Sequence, residues 1–224
     1  MIRRVISKRY LRWLLILLTS LTLFAPHAVA QDAEESDEAI ERRSRVADLL
    51  KFLEARPGAV IADVGAGEGF YTVRIARAVV PGGRVVAEDI DQSALNKLGE
   101  RVARENVGNV DVIFGAPDDP QLGTNRFDAV LIHNAYHEMV EHEAMLRHVY
   151  AALKPGGRFL LVEPMHDRNR GLLRAKQVAE HNLAIGIAER ELRKAGFKIV
   201  RRDSKFVKFT KEPGAFWLIL AQRP

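Results

Sequence analysis

The chain has 224 residues, 47% of them apolar, enough for one αβ domain with a sizeable core. It contains no cysteine, which excludes disulfides, thiolate metal sites, a cysteine nucleophile and thiol-assisted chemistry. Its +5 formal charge sits entirely in the first thirty residues, so the remaining chain is neutral and gives no support for a nucleic-acid partner.

Those thirty residues come first in chain order. Arg3, Arg4, Lys8, Arg9 and Arg12 precede an apolar run from Trp13 to Phe24, which ends at Pro26 and Ala28-Val29-Ala30. This is the pattern of a signal peptide over residues 1–30, and it predicts export to the periplasm. A spanning helix needs about 20 apolar residues, so residues 13–24 serving as an inner-membrane anchor is the second reading. Arg3-Arg4-Val5-Ile6-Ser7-Lys8 partly resembles a twin-arginine export signal. Residues 31–38 hold five acids in eight positions and are expected to form a flexible stalk, leaving 39–224 as the folded domain.

From Ala39, the residues Ile40, Val46, Leu49, Leu50 and Leu53 fall at helical spacing, and Arg56-Pro57-Gly58 stops that helix. Val60 to Val64 then reads as a buried strand that runs into Gly65, Gly67 and Gly69, with Asp63 two residues before the first glycine. Such a turn lets a ligand lie against bare backbone. Phe70, Val73, Ile75, Ala76 and Val79 form the apolar face of a following helix, so strand, turn and helix open a nucleotide-cofactor fold. A dinucleotide fingerprint requires G-x-G-x-x-G, whereas this chain has G-x-G-x-G. The carboxylate beside it suits a cationic ligand and repels a pyrophosphate. A glycine-rich turn without any ligand is the plain alternative.

Beta-alpha units continue. Strands are expected at Arg84 to Asp89, Val110 to Phe114, Phe127 to Ile132 and Arg158 to Val162, with helices from Gln92 to Glu105 and from Met139 to Leu153. A last helix, beginning near His181 and ending at Ala195-Gly196, precedes two strands, Phe197 to Arg201 and Ala215 to Ala221, placed to pair antiparallel.

From about residue 40 to its end the chain resembles the class I S-adenosylmethionine (SAM) methyltransferases. The resemblance rests on the glycine motif with Asp63, the acid ending the second strand, Phe127-Asp128, Leu153-Lys154-Pro155-Gly156-Gly157 and the terminal strand pair. It implies a Rossmann-like α/β fold: a seven-stranded mixed sheet with helices on both faces and the last strand antiparallel. It also implies SAM as cofactor and methyl transfer to a small-molecule acceptor. A non-catalytic SAM or nucleoside binding module of the cell envelope is the alternative, and an NAD oxidoreductase is disfavoured by the glycine spacing.

Within the family pattern Gly65, Gly67, Gly69 and Asp63 bind the cofactor, and Asp89 accepts the ribose hydroxyls ahead of Glu88 and Asp91. Asp91 fits a helix cap better. Asp118, in Gly115-Ala116-Pro117-Asp118-Asp119, takes the adenine contact, although Ala116 and Pro117 depart from the usual pattern and a plain turn fits equally well. His133 and Asn134, leaving the fourth strand, map to the amino-acid end of SAM, with Tyr136 and His137 next; helix capping is the competing role for each. For a hydroxyl acceptor His137 is the candidate base, with His166 and Glu138 behind it. Glu163, Met165, His166, Asp167 and His181 could form the acceptor pocket or its lid. No metal is expected, because the strand-four exit offers His133-Asn134 where a metal-assisted site would cluster carboxylates. The basic stretch from Met165 to Lys211 is explained by a solvated face, with peripheral contact to anionic lipid as the second reading.

Overall fold

The computed structural model describes residues 37–224; the leader, the anchor reading and residues 31–36 of the stalk lie outside the described residues. The apolar runs become seven strands: β1 (Val60–Val64), β2 (Arg84–Asp89), β3 (Val110–Phe114), β4 (Phe127–His133), β5 (Leu153–His166), β6 (Lys198–Lys208) and β7 (Gly214–Gln222). They form one sheet in the order β3-β2-β1-β4-β5-β7-β6. The first five are parallel, and β7 runs antiparallel between β5 and β6. Chain order reverses between β1 and β4. Their carboxyl ends therefore flank the crevice where open αβ sheets bind ligands.

Helices cover both faces because the central strands alternate between two cores. Ile61, Ala129, Leu131, Leu160 and Leu218 pack with α2 (Val46–Phe52) and α3 (Phe70–Val79). Ala62, Val130, Ile132, Leu161 and Ile219 pack with α5 (His142–Ala152) and α7 (Ile185–Lys194). Neighbouring residues of one strand thus enter opposite cores, as strands buried on both faces require. The helix α4 (Gln92–Arg104) adds Leu95 and Leu98 against Ala87, and Asp91 caps it by accepting the Ser93 N–H at 2.8 Å. Edge strand β6 exposes Lys198, Arg201, Arg202, Lys205 and Lys208, charges that discourage pairing with another chain.

Several expected boundaries move. The first helix is two, α1 (Asp37–Arg43) and α2, broken where Arg45 adopts a left-handed φ of 54°. Helix α5 starts at His142 instead of Met139, because Tyr136–Glu138 form a 3-10 turn held from below by Glu163. The last helix, α7, starts at Ile185; His181 lies in the turn after α6 (Arg174–Ala179), with φ 51°. Strand β5 reaches His166 because β7 pairs with it continuously from Arg158 to His166.

Candidate active site

The glycine turn is built by close approach. Gly65 has φ 68°, and a Cβ there would stand 2.5 Å from Ala135 Cβ on the β4 exit. A Cβ on Gly69, at φ 80°, would meet Leu98 Cγ at 2.8 Å. A Cβ on Gly67 would meet no described atom within 4 Å, and its N–H donates to Asp89 Oδ2 at 2.8 Å. Asp63 does different work from that expected. It is buried and accepts the Thr72 hydroxyl at 2.7 Å, which ties β1 to the first turn of α3. Burial pushes its carboxyl up to about 6, against the Thr72 hydrogen bond, with Asp89 adding to the rise.

A cavity of about 330 Å³ opens at this crevice. Gly65, Glu88 and Asp89 form one wall, Ala116 and Pro117 another, and Ala135, Glu138, Met139 and Met145 the side toward β4. Asp89, at the β2 end, lines the cavity and accepts the Gly67 and Asp91 N–H groups. Asp118 is exposed on the turn beyond Ala116 and Pro117 and is not part of the cavity wall; apolar residues occupy the expected adenine side instead.

Glu88, ranked behind Asp89 in the sequence, also lines the cavity. It is 2% exposed, its Oε2 accepts the Gly65 N–H at 3.4 Å, and its buried Oε1 has no hydrogen-bond partner among the described residues. Burial pushes its carboxyl up to about 8, partly countered by the Gly65 N–H and reinforced by Asp89, Asp63 and Asp119. An orphaned buried carboxyl beside Asp89 is a place for a polar ligand atom. Together with Gly65 and the apolar Met139 and Met145, these residues fit a nucleoside with a charged tail.

The β4 exit sends its side chains to two sides. His133 stacks between Tyr71, with ring centroids 4.3 Å apart, and Phe216, at 5.3 Å, and its Nε2 meets the Tyr71 hydroxyl at 2.9 Å. Burial lowers its pKa to about 4. It lines a second cavity with Arg43, Lys208, Phe209 and Lys211, outside the one formed by the glycine turn. Asn134 is exposed at φ 56°, with its N–H donating to Val162 O, and it turns the chain. Neither residue lines the cofactor cavity, where sequence had placed both.

His137 is brought to the other side. It is 2% exposed, and its Nδ1 lies 2.5 Å from Oε2 of Glu163, which is fully buried. The second oxygen of Glu163 accepts the N–H groups of Ala135 and Tyr136, each at 2.8 Å. Burial alone would lower the His137 pKa, but the hydrogen bond and charge of Glu163, with the charge of Glu138, raise it overall. Glu138 is exposed at the cavity rim, 3.6 Å from His137 Nε2. His166 joins neither: its ring stacks on Phe209 and faces Glu212 at 3.2 Å. The segment carrying His181 is fixed by Trp217, whose indole N–H donates to Leu183 O at 2.6 Å.

Strand order, crevice and glycine turn together define the Rossmann-like fold of the class I methyltransferases. Residues 61–157 match the family described as Methyltransferase domain. The chain is 36% identical over 111 residues to the ubiquinone/menaquinone biosynthesis C-methyltransferase UbiE of Vibrio parahaemolyticus, an alignment covering 49% of this chain and 42% of that enzyme. The corresponding enzyme of Escherichia fergusonii is 34% identical over 110 residues, covering 48% and 43%. The chain thus spans less than half the length of these curated relatives. A SAM-dependent methyltransferase from Aquifex aeolicus superposes with a TM-score of 0.69 at 20% identity, over 85% of this chain and all of that one, and shows the shared fold. These likenesses support a methyltransferase-type domain over residues 61–157 on the shared fold, with S-adenosylmethionine as its cofactor.

Proposed function

We propose that the chain transfers a methyl group from SAM to a small-molecule acceptor, with His137 as the base that takes the acceptor's proton. The observation that carries this is the His137–Glu163 pair, set at 2.5 Å on the turn whose next residue, Glu138, lines the cofactor cavity. SAM supplies an electrophilic methyl on sulfur. Everything else is positioning and proton transfer by this chain's residues. Asp89, oriented by the Gly67 N–H, holds the nucleoside end, and Glu88 offers a second polar contact beneath it. A buried carboxylate on Nδ1 fixes the imidazole tautomer and leaves the Nε2 lone pair for the acceptor. The relatives' names support a quinol-type ring as the acceptor, where removal of a hydroxyl proton would make a ring carbon nucleophilic. Residues 1–30 support a periplasmic location for this reaction, and the basic face of β6 is compatible with contact to anionic lipid.

Calorimetry with SAM, S-adenosylhomocysteine and NAD, scored beside radiolabelled methyl transfer to an extract, tests this function. SAM should bind and NAD should not. Replacing His137 by Ala should lower turnover roughly 100-fold or more while SAM affinity stays within twofold. Unchanged turnover would remove His137 from the mechanism, and SAM binding with no transfer to any acceptor would leave a binding module.

A further inference from the structure

Beside the cavity, His137, Glu138 and His181 place one donor atom each within 4.8 Å of one another. His137 Nε2 and His181 Nδ1 lie 3.6 and 3.3 Å from the same oxygen, Oε1 of Glu138. A tetrahedral ion with bonds of about 2.0–2.1 Å sets its donor atoms about 3.3 Å apart, so both spacings suit an ion between them. The residue types suit one class of ion. Two imidazoles and a carboxylate are the ligands of a borderline divalent cation such as zinc, with a fourth position open to solvent.

A second observation concerns the imidazole. Glu163 holds Nδ1 of the buried His137, which makes Nε2 the ligand nitrogen, and metal-bound histidines are oriented by such a carboxylate. His181 reaches the cluster from a turn with a left-handed φ of 51°, a conformation disfavoured for histidine and one that directs this residue to the β4 exit.

We propose that His137, Glu138 and His181 bind a zinc-type divalent cation, and that the bound ion occupies the Nε2 lone pair needed to accept the acceptor's proton. The cation is then an off-switch for transfer. Its binding stands on the cluster alone, and its inhibitory effect rests on the methyltransferase function proposed above.

The test uses the tag-free full-length chain, stripped of metal by a chelator. Titration with Zn²⁺ by calorimetry should show one high-affinity equivalent per chain, and Co²⁺ should give the visible absorption of a tetrahedral site. His181→Asn, which tolerates the left-handed backbone, and Glu138→Gln should each weaken zinc binding at least tenfold. No binding by the unmodified chain, or equal affinity in His181→Asn, overturns the site. Saturating zinc should abolish methyl transfer by the unmodified chain and change transfer by the His181→Asn variant less than twofold from that variant's own zinc-free rate. Inhibition of both alike, or of neither, overturns the switch. If no transfer occurs with or without zinc, the proposed function and the switch fall together, while the zinc titration still decides the cation site.

Discussion

The two halves of the crevice are made in different ways. The cofactor half is backbone: Gly67 donates its N–H to Asp89, Ala66 donates to the Glu88 carbonyl, and three glycines let strands β1 and β2 approach a ligand. The half proposed to face the acceptor is side chains from distant segments. Glu163 of β5 holds the turn after β4, Glu191 of α7 accepts the Tyr136 hydroxyl at 2.9 Å, and Arg174 of α6 reaches the same carboxylate at 2.8 Å. Function built on backbone depends on which residues are small. Function built on side chains depends on which charges are satisfied.

This contrast predicts separable damage. The largest effect is expected on the cofactor side, where Gly65→Val would drive a Cβ into Ala135 at a left-handed φ. SAM affinity should fall more than 100-fold, with a stability loss of about 2–4 kcal/mol in denaturant titration. A variant that binds SAM normally would show that the two walls move apart freely. On the acceptor side Glu163→Gln should lower turnover roughly tenfold with little change in SAM affinity. Because Glu163 raises the His137 pKa, the acid limb of the pH–rate profile should move to lower pH in this variant. A profile that stays in place would uncouple the pair.

A third effect is read in stability alone. The Glu88 carboxyl is raised from 4.5 to about 8 in the folded chain, so folding favours its protonated form. Its contribution is complete below pH 4.5 and is lost as the pH rises through about 8. Glu88→Gln cannot ionise. Its stability relative to the unmodified chain should therefore grow by about 2 kcal/mol between pH 5 and pH 8.5, a value reduced from the full shift for partial relaxation around the site. Equal differences at both pH values in urea titrations would mean that Glu88 titrates alike folded and unfolded.

How much was legible follows the same division. Strand boundaries on the cofactor side agree with the sequence at both ends of β2 and β3, because short apolar runs there end at glycine, proline or acid. The turn at Gly65 and Gly67 was readable from spacing, since a backbone turn leaves its requirements in nearby residues. Glu88 was ranked behind Asp89 because strand alternation alone does not say which of two adjacent acids loses its solvent. The 3-10 turn at Tyr136–Glu138 was hidden, because its hydrogen-bond acceptor, Glu163, lies in another strand. His133 and Asn134 were assigned to the cofactor by position, whereas Tyr71 and Phe216 draw the His133 ring to the opposite side. His181 was mistaken for a helix start, since nothing adjacent in sequence announces a left-handed histidine.

Trp217 gives this division an order in time. A chain emerging amino terminus first presents the glycine turn, Asp89 and the β4 exit long before β7 exists. The Leu183 carbonyl has to wait for that late indole. A nascent protein arrested before β7 would carry every backbone element of the glycine-turn cavity while the Leu183 carbonyl still lacked the indole that holds it.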